Sequence, residues 1–196
     1  MLLGQTTTVS QEIKKSRFIC VLERVRSPEE IKPLIAELKK EYPQASHYCY
    51  AAKIGSFSRS SDDGEPSGTA GRPMLDVLNG SDADQILAVV IRYFGGTLLG
   101  KGGLVRAYSS SVANALQTAP FIEEKTLLLC EAHADYSLAG KLESFLRSLK
   151  ITDLQETYGN EAVYTFCSEE DYSDLLRERF SDQVDFRILG SRQSES

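Results

Sequence analysis

Apolar and polar positions alternate from Arg17 to Arg26 in a run rich in Phe, Ile and Val, which predicts a strand. Ser27-Pro28-Glu29-Glu30 then opens a helix, with serine at the cap, proline at the first helical position and acids in the first turn. Ile31, Leu34, Ile35 and Leu38 follow at helical spacing, and Tyr42-Pro43 ends the run. His47 to Ile54 reads as a strand, Gly55 to Arg72 as a long polar loop, and Pro73 to Leu78 as a short helix. A strand over Ile86 to Phe94, a glycine loop and a helix over residues 104–118 complete the first half.

The second half repeats the alternation with shorter elements. Thr126 to Ala132 reads as a strand, and Leu138, Leu142, Phe145, Leu146 and Leu149 share one helical face. Strands over Ile151–Tyr158 and Ala162–Cys167 flank the turn Gly159-Asn160. Tyr172, Leu175, Leu176 and Phe180 mark a second helix, and Val184 to Leu189 a last strand, with Ser191 to Ser196 expected to fray. The order βαββαβ fits a ferredoxin-like sandwich. Pro120 ends the preceding helix, so the expected class is α+β with two domains, residues 1–122 and 123–196.

Five glycines, Gly95, Gly96, Gly100, Gly102 and Gly103, lie between the strand ending at Phe94 and the helix opening at Leu104. Such density implies backbone angles or close approaches that a β-carbon forbids. A helix opened by such a loop collects free N–H groups and the positive end of its dipole, which suits a phosphate. No Asp or Glu occurs from Gln85 to Ile122, whereas Arg92, Lys101 and Arg106 do. The bland alternative, a tight turn with close packing, carries equal weight. A nucleotide P-loop is disfavoured, because Gly102 stands where the magnesium-ligating Ser or Thr belongs.

The second motif is Asp62-Asp63-Gly64-Glu65-Pro66-Ser67-Gly68-Thr69-Ala70-Gly71-Arg72-Pro73. Three carboxylates in four positions could serve a cation or acid–base work, but the spacing matches no calcium loop. A shaped turn in which the Asp side chains bond their own backbone is the better reading. His47 and Cys49, two apart on a strand, share a face; a partly buried pair is favoured over a nucleophile. Tyr48, Tyr50, Tyr93 and Tyr108 could stack on bases or belong to the core. Lys14, Lys15 and Arg17 form a small basic cluster that could extend a phosphate-contacting face.

Charge refines this picture. The net charge of −6 arises entirely in residues 125–196, which carry 8 basic and 14 acidic side chains against 14 of each in residues 1–124. An acidic second half is unsuited to wrapping a nucleic-acid backbone. Cys20, Cys49, Cys130 and Cys167 lie far apart in strand-like runs, which predicts reduced thiols, no disulfide and no metal site. Neither a signal peptide nor a membrane span is expected, which points to the cytoplasm.

His47-Tyr48-Cys49-Tyr50-Ala51, the Asp62–Pro73 loop, and Arg92-Tyr93-Phe94-Gly95-Gly96 through Arg106-Ala107-Tyr108 together resemble the IMPACT family, in its bacterial YigZ-type branch. The resemblance runs from about Ser16 to Leu116, and the second half is similar to the extra C-terminal domain of bacterial members. It implies a ribosomal-protein-S5 domain-two-like first domain and a ferredoxin-like second domain, folds similar to adjacent domains of a ribosomal elongation factor. Eukaryotic relatives regulate translation, and the resemblance supplies no catalytic residues or cofactor. Lys101 stands where small residues are expected in many relatives.

The expected function is a non-enzymatic translation regulator binding RNA, the ribosome or a translation factor, with neither DNA nor membrane as partner. Its expected surface is Arg92, Gly95, Gly96, Gly100, Lys101, Gly102, Gly103 and Arg106, with Arg72 and the basic cluster, beside the motif loop carrying Asp62, Asp63, Glu65, Ser67 and Thr69. Two alternatives stand beside it: a small-molecule enzyme, such as a hydrolase, built on Asp62–Glu65 and the glycine loop, and a protein-interaction module.

Overall fold

The computed structural model describes residues 1–195, which divide into two compact units at Glu123/Glu124. In the first unit a short strand β1 (Leu2–Leu3) is followed by β2 (Thr7–Ile13) and β3 (Ser16–Arg24). A 3-10 turn at Pro28–Glu30 leads into α1 (Ile31–Glu41), then β4 (His47–Ile54) and β5 (Phe57–Ser61). After α2 (Gly71–Asn79) come β6 (Ile86–Tyr93), α3 (Lys101–Thr118) and β7 (Phe121–Ile122).

Five strands form one antiparallel sheet in the order β2-β3-β6-β4-β5. β6 is the central strand, and the side chains from Ile86 to Arg92 are all buried, as an apolar run covered on both faces requires. Phe18, Cys20, Cys49, Ala51, Ala88 and Val90 face α2 and α3. Ile19, Val21, Ala52, Leu87, Val89 and Ile91 face α1. Period-two alternation thus feeds two cores from the same strands.

Two expected boundaries change. Gly55–Arg72 is not all loop, because β5 pairs with β4 across the turn at Gly55. A further edge strand, β2, lies in a segment the sequence left unassigned. Both are edge strands with one face in solvent, so their composition is largely polar. The turn joining β2 to β3 places Lys14 and Lys15 at positive φ, +48° and +65°. Gly95 fits beneath it: a Cβ there would lie 2.0 Å from the Lys15 carbonyl carbon. β1 pairs with β7, which fastens the chain start to the end of the first unit.

The second unit runs β8 (Glu124–Ala134), α4 (Tyr136–Leu146), β9 (Ile151–Tyr158), β10 (Ala162–Ser168), α5 (Ser173–Phe180) and β11 (Val184–Glu195). Its antiparallel sheet has the order β11-β8-β10-β9. Leu142, Leu146, Leu176 and Phe180 of the helices pack on Cys130, Ala132, Tyr164 and Phe166 of the strands. The expected fraying of 191–196 is corrected up to Glu195: β11 stays paired with β8 from Val184 to Glu195, broken only by a bulge after Ile188, and Ser196 lies outside the described residues.

Candidate functional site between the two motif loops

The Asp62–Pro73 loop is held from within. Asp62 Oδ1 accepts the N–H groups of Ala70 (3.0 Å) and Gly71 (2.8 Å), and Oδ2 that of Gly68 (2.9 Å). Partial burial alone would raise the Asp62 carboxyl, but these three donors outweigh it and hold it below the usual carboxylate value. The same carboxylate caps the start of α2, where orphan N–H groups and the dipole favour negative charge. Gly71 allows the approach: a Cβ would sit 2.7 Å from the Ser61 backbone nitrogen. Asp63 Oδ2 accepts from the Tyr48 N–H at 2.7 Å, so both aspartates serve the backbone, as a shaped turn requires. Thr69 is buried and donates to the Pro66 carbonyl, while Ser67 is exposed.

Glu65 is the exception. Its side chain turns inward and is buried, where Oε1 takes the Arg92 Nη1 at 2.5 Å and the Tyr108 hydroxyl at 2.7 Å. Three elements meet there: the loop, the end of β6 and the second turn of α3. Phe18 and Phe94 flank the guanidinium, 5.4 and 5.5 Å from ring centroid to Cζ. Among the described residues the Arg92 Nε has no hydrogen-bond partner.

His47 Nδ1 lies 2.8 Å from the Asp63 carbonyl, which only accepts, so Nδ1 carries the proton. That leaves Nε2 3.9 Å from Glu65 Oε1. Cys49 beside it is buried and donates to the Asp62 carbonyl; burial first of all, and nearby carboxylates, push its thiol up to about 12. Burial likewise raises the Tyr108 hydroxyl far above its usual value, so it stays a neutral donor to Glu65.

The glycine loop closes the other side. Gly96 and Gly100 adopt φ of +82° and +75°, open to few other residues. The Gly95 N–H is taken by Ser16 Oγ at 3.1 Å, and its missing side chain makes room for the Lys15 turn; Gly95 is a packing glycine. α3 begins at Lys101, three residues earlier than periodicity places it, with no side-chain cap. Gly102 and Gly103 therefore belong to its first turn rather than to the loop.

Both motif loops line one cleft of about 430 Å³, together with His47, Glu65, Arg92, Phe94, Leu98 and Lys101. Leu98 is 82% exposed and Phe94 48%, so the rim is apolar. The structure separates the two arginines that the sequence groups together. Arg92, expected on the RNA-facing surface, is 5% exposed and spends its charge on Glu65, because a desolvated guanidinium needs a matching carboxylate. Arg106 lines a different cleft with Lys14, and its Nε donates to the Gly102 carbonyl at 3.3 Å. Arg72 is exposed and paired with Asp76 within α2. Only Lys101 of the expected cations reaches the cleft mouth as an exposed charge.

Sequence reasoning left Tyr108 between stacking and core. Its spacing from Leu104 on α3 was the available signal, but the acid it meets lies 43 residues away. The four thiols are free and buried, and the described residues contain no cluster of three potential metal ligands.

The Impact N-terminal domain family matches residues 14–116, which contain every element of the cleft. The chain belongs to the IMPACT family. The IMPACT family member YvyE of Bacillus subtilis is 40% identical over 183 residues, covering 89% of this chain and 84% of the relative. A family member from Haemophilus influenzae is 38% identical over 188 residues, 91% of each chain. A solved structure described as that of a hypothetical protein matches with a TM-score of 0.62 at 32% identity, over 96% of each chain. The YvyE and H. influenzae matches extend well beyond the family domain, so the similarity to these two relatives reaches into the second unit. No helix among the described residues is long and apolar enough to cross a membrane.

Proposed function

We propose that this IMPACT-family chain is a non-enzymatic, cytoplasmic regulator of translation whose first unit contacts RNA phosphates at the start of α3. One observation carries the reading. Glu65 is neutralised inside the cleft by Arg92, so the mouth is left with exposed Lys101 and the uncapped N-terminus of an 18-residue helix. The absence of any carboxylate from Gln85 to Ile122 keeps that mouth positive within an acidic protein. Arg92 is a pin for the site in this reading, and Lys101 the contact. The architecture fits: strand order β11-β8-β10-β9 with both helices in one core supports a ferredoxin-like second domain from residue 123, and the first domain, residues 1–122, is taken as ribosomal-protein-S5 domain-two-like.

Cosedimentation with ribosomes and crosslinking to bound RNA, each at two salt concentrations, test the proposal. Lys101→Glu should release the protein, and Lys101→Ala should lower the salt slope by roughly 0.7 per lost contact to a single strand. Wild-type affinity and slope for both variants at equal folded fraction would overturn it.

A second reading, a small-molecule enzyme, draws on His47, whose ring is oriented by the Asp63 carbonyl at Nδ1 so that Nε2 faces Glu65. Turnover of a phosphate ester that His47→Ala abolishes would favour it. Against it, Cys49 is held as a thiol and supplies no nucleophile at neutral pH.

A further inference from the structure

The other face of the same sheet carries a second groove, of about 450 Å³, between α1 and the β4–β5 pair. Tyr48 and Tyr50 form its floor. They pack with the core on the α1 side, whereas Cys49 and Ala51 between and after them pack with the core on the α3 side. Arg59 stands on the α1 side too, since it opposes Ala52 across the β4–β5 ladder. Lys32 and Lys39 form the opposite wall, seven residues and therefore about 10.5 Å apart along α1. All three cations are exposed.

The two rings are not equivalent. Tyr48 is fixed by a 2.5 Å hydrogen bond from its hydroxyl to the Tyr42 carbonyl, and Lys39 Nζ already lies 5.1 Å from its ring centroid. Tyr50 is half-buried, and among the described residues neither a hydrogen bond of its hydroxyl nor a cation on its ring is seen. Two carboxylates border the groove. Asp63 is engaged by the Tyr48 N–H, and Glu29 sits at the N-terminal end of α1. The lining thus carries three cations, Lys32, Lys39 and Arg59, against these two carboxylates.

An aromatic floor between cationic walls is the composition that unpaired nucleotides select: a base stacks on a ring while its phosphates meet lysine or arginine. We propose that this groove is a stacking site for single-stranded RNA, with Tyr50 as the base platform and Lys32, Lys39 and Arg59 on the backbone. The proposal rests on the RNA reading above and adds a second contact region to it, one that reads bases where the α3 end meets phosphate. The Asp62–Pro73 loop links the two, since Asp63 borders the groove while Gly64 and Glu65 line the cleft.

The test uses the intact chain and a fluorescein-labelled 12-nucleotide unstructured RNA, with a duplex of equal length as the comparison. Tyr50→Leu should weaken single-strand binding about ten-fold or more and leave the salt slope unchanged. Tyr50→Phe, which keeps the ring, should bind as wild type. The pair Lys32→Ala, Arg59→Ala should lower the log–log salt slope by about 1.4, at roughly 0.7 per contact. Duplex binding should ignore Tyr50→Leu. Thermal melts correct each value to equal folded fraction. If Lys101→Glu abolishes binding while the three groove variants bind as wild type, the groove proposal is overturned and the RNA reading survives. Equal losses in Tyr50→Phe and Tyr50→Leu overturn stacking. Absence of any RNA binding by the wild-type chain overturns both.

Discussion

Glu65 and Arg92, 27 residues apart in the chain, form a buried ion pair at 2.5 Å that ties the two motif loops to one floor. The Tyr108 hydroxyl shares the same carboxylate oxygen. Removing one member of such a pair leaves the other charge buried and unmatched, which is the costly half of a buried ion pair. Glu65→Gln should therefore lose about 3–5 kcal/mol of stability in urea unfolding, far more than an exposed pair such as Arg72–Asp76. Replacing both partners together, Glu65→Leu with Arg92→Met, should recover a large part of that loss. A Glu65→Gln protein within 1 kcal/mol of wild type would show that the pair is not desolvated as described.

The glycines of the α3 loop should separate by role. Gly95→Ala drives a Cβ to 2.0 Å from the Lys15 backbone, so the β2–β3 turn or the β6 end must move. That substitution should lower the melting temperature by several degrees. Gly102→Ala meets no atom within 4 Å and sits in a helix, where alanine is favoured by roughly 0.5–1 kcal/mol. It should raise the melting temperature. Equal effects from the two would remove the distinction between packing glycine and helix glycine.

Two groups of opposite sign set the pH response. Asp62 titrates below its ordinary value of 3.8 in the folded chain, because the backbone donors outweigh the opposing effect of partial burial. Its contribution is present above pH 3.8 and is lost as pH falls through the lowered value. Asp62→Ala should cost about 1–2 kcal/mol at neutral pH, as the loss of a helix cap does, and should flatten the acid limb of the stability curve.

His133 behaves in the reverse sense. Its ring sits between Glu131 (2.7 Å) and Glu161 (2.6 Å), whose hydrogen bonds raise its value above 6.5. Its contribution is complete below pH 6.5 and fades as pH rises through the raised value. Chemical denaturation between pH 5.5 and 9 should show stability declining on the alkaline side in the wild type and less so in His133→Asn. A stability that rises across that range in both would contradict the assignment.

The thiols offer a direct check on packing. Cys20, Cys49, Cys130 and Cys167 are free and buried, with Cys20 and Cys49 held as neutral thiols by their burial. A thiol reagent at pH 8 should label none of the four rapidly in the folded chain and all four in denaturant. Fast labelling of Cys49 without denaturant would place it at an open surface.

What the chain encodes locally was legible in it. β4 and β9 start and end where the sequence reading places them, at His47–Ile54 and Ile151–Tyr158, each closed by a glycine turn at Gly55 or Gly159. The glycine cluster marked a site of close approach, and Asp62 marked a self-bonded turn, both short-range chemistry, whereas Asp63 found its partner on β4. Tertiary structure alone decided the rest. β2 and β5 are edge strands whose polar face reads as loop until a neighbour supplies the ladder, and 191–195 became strand through pairing with β8 rather than through its own apolar content. Strand order determined which charges meet. With β6 central and beside β4, Arg92 stands directly opposite His47 in the ladder and beneath Glu65, while Arg106 goes to another cleft although each lies three residues from its nearest glycine in sequence. A lone arginine carries no local mark of the acid it will meet; that partner is selected when desolvation leaves neither charge any other solution.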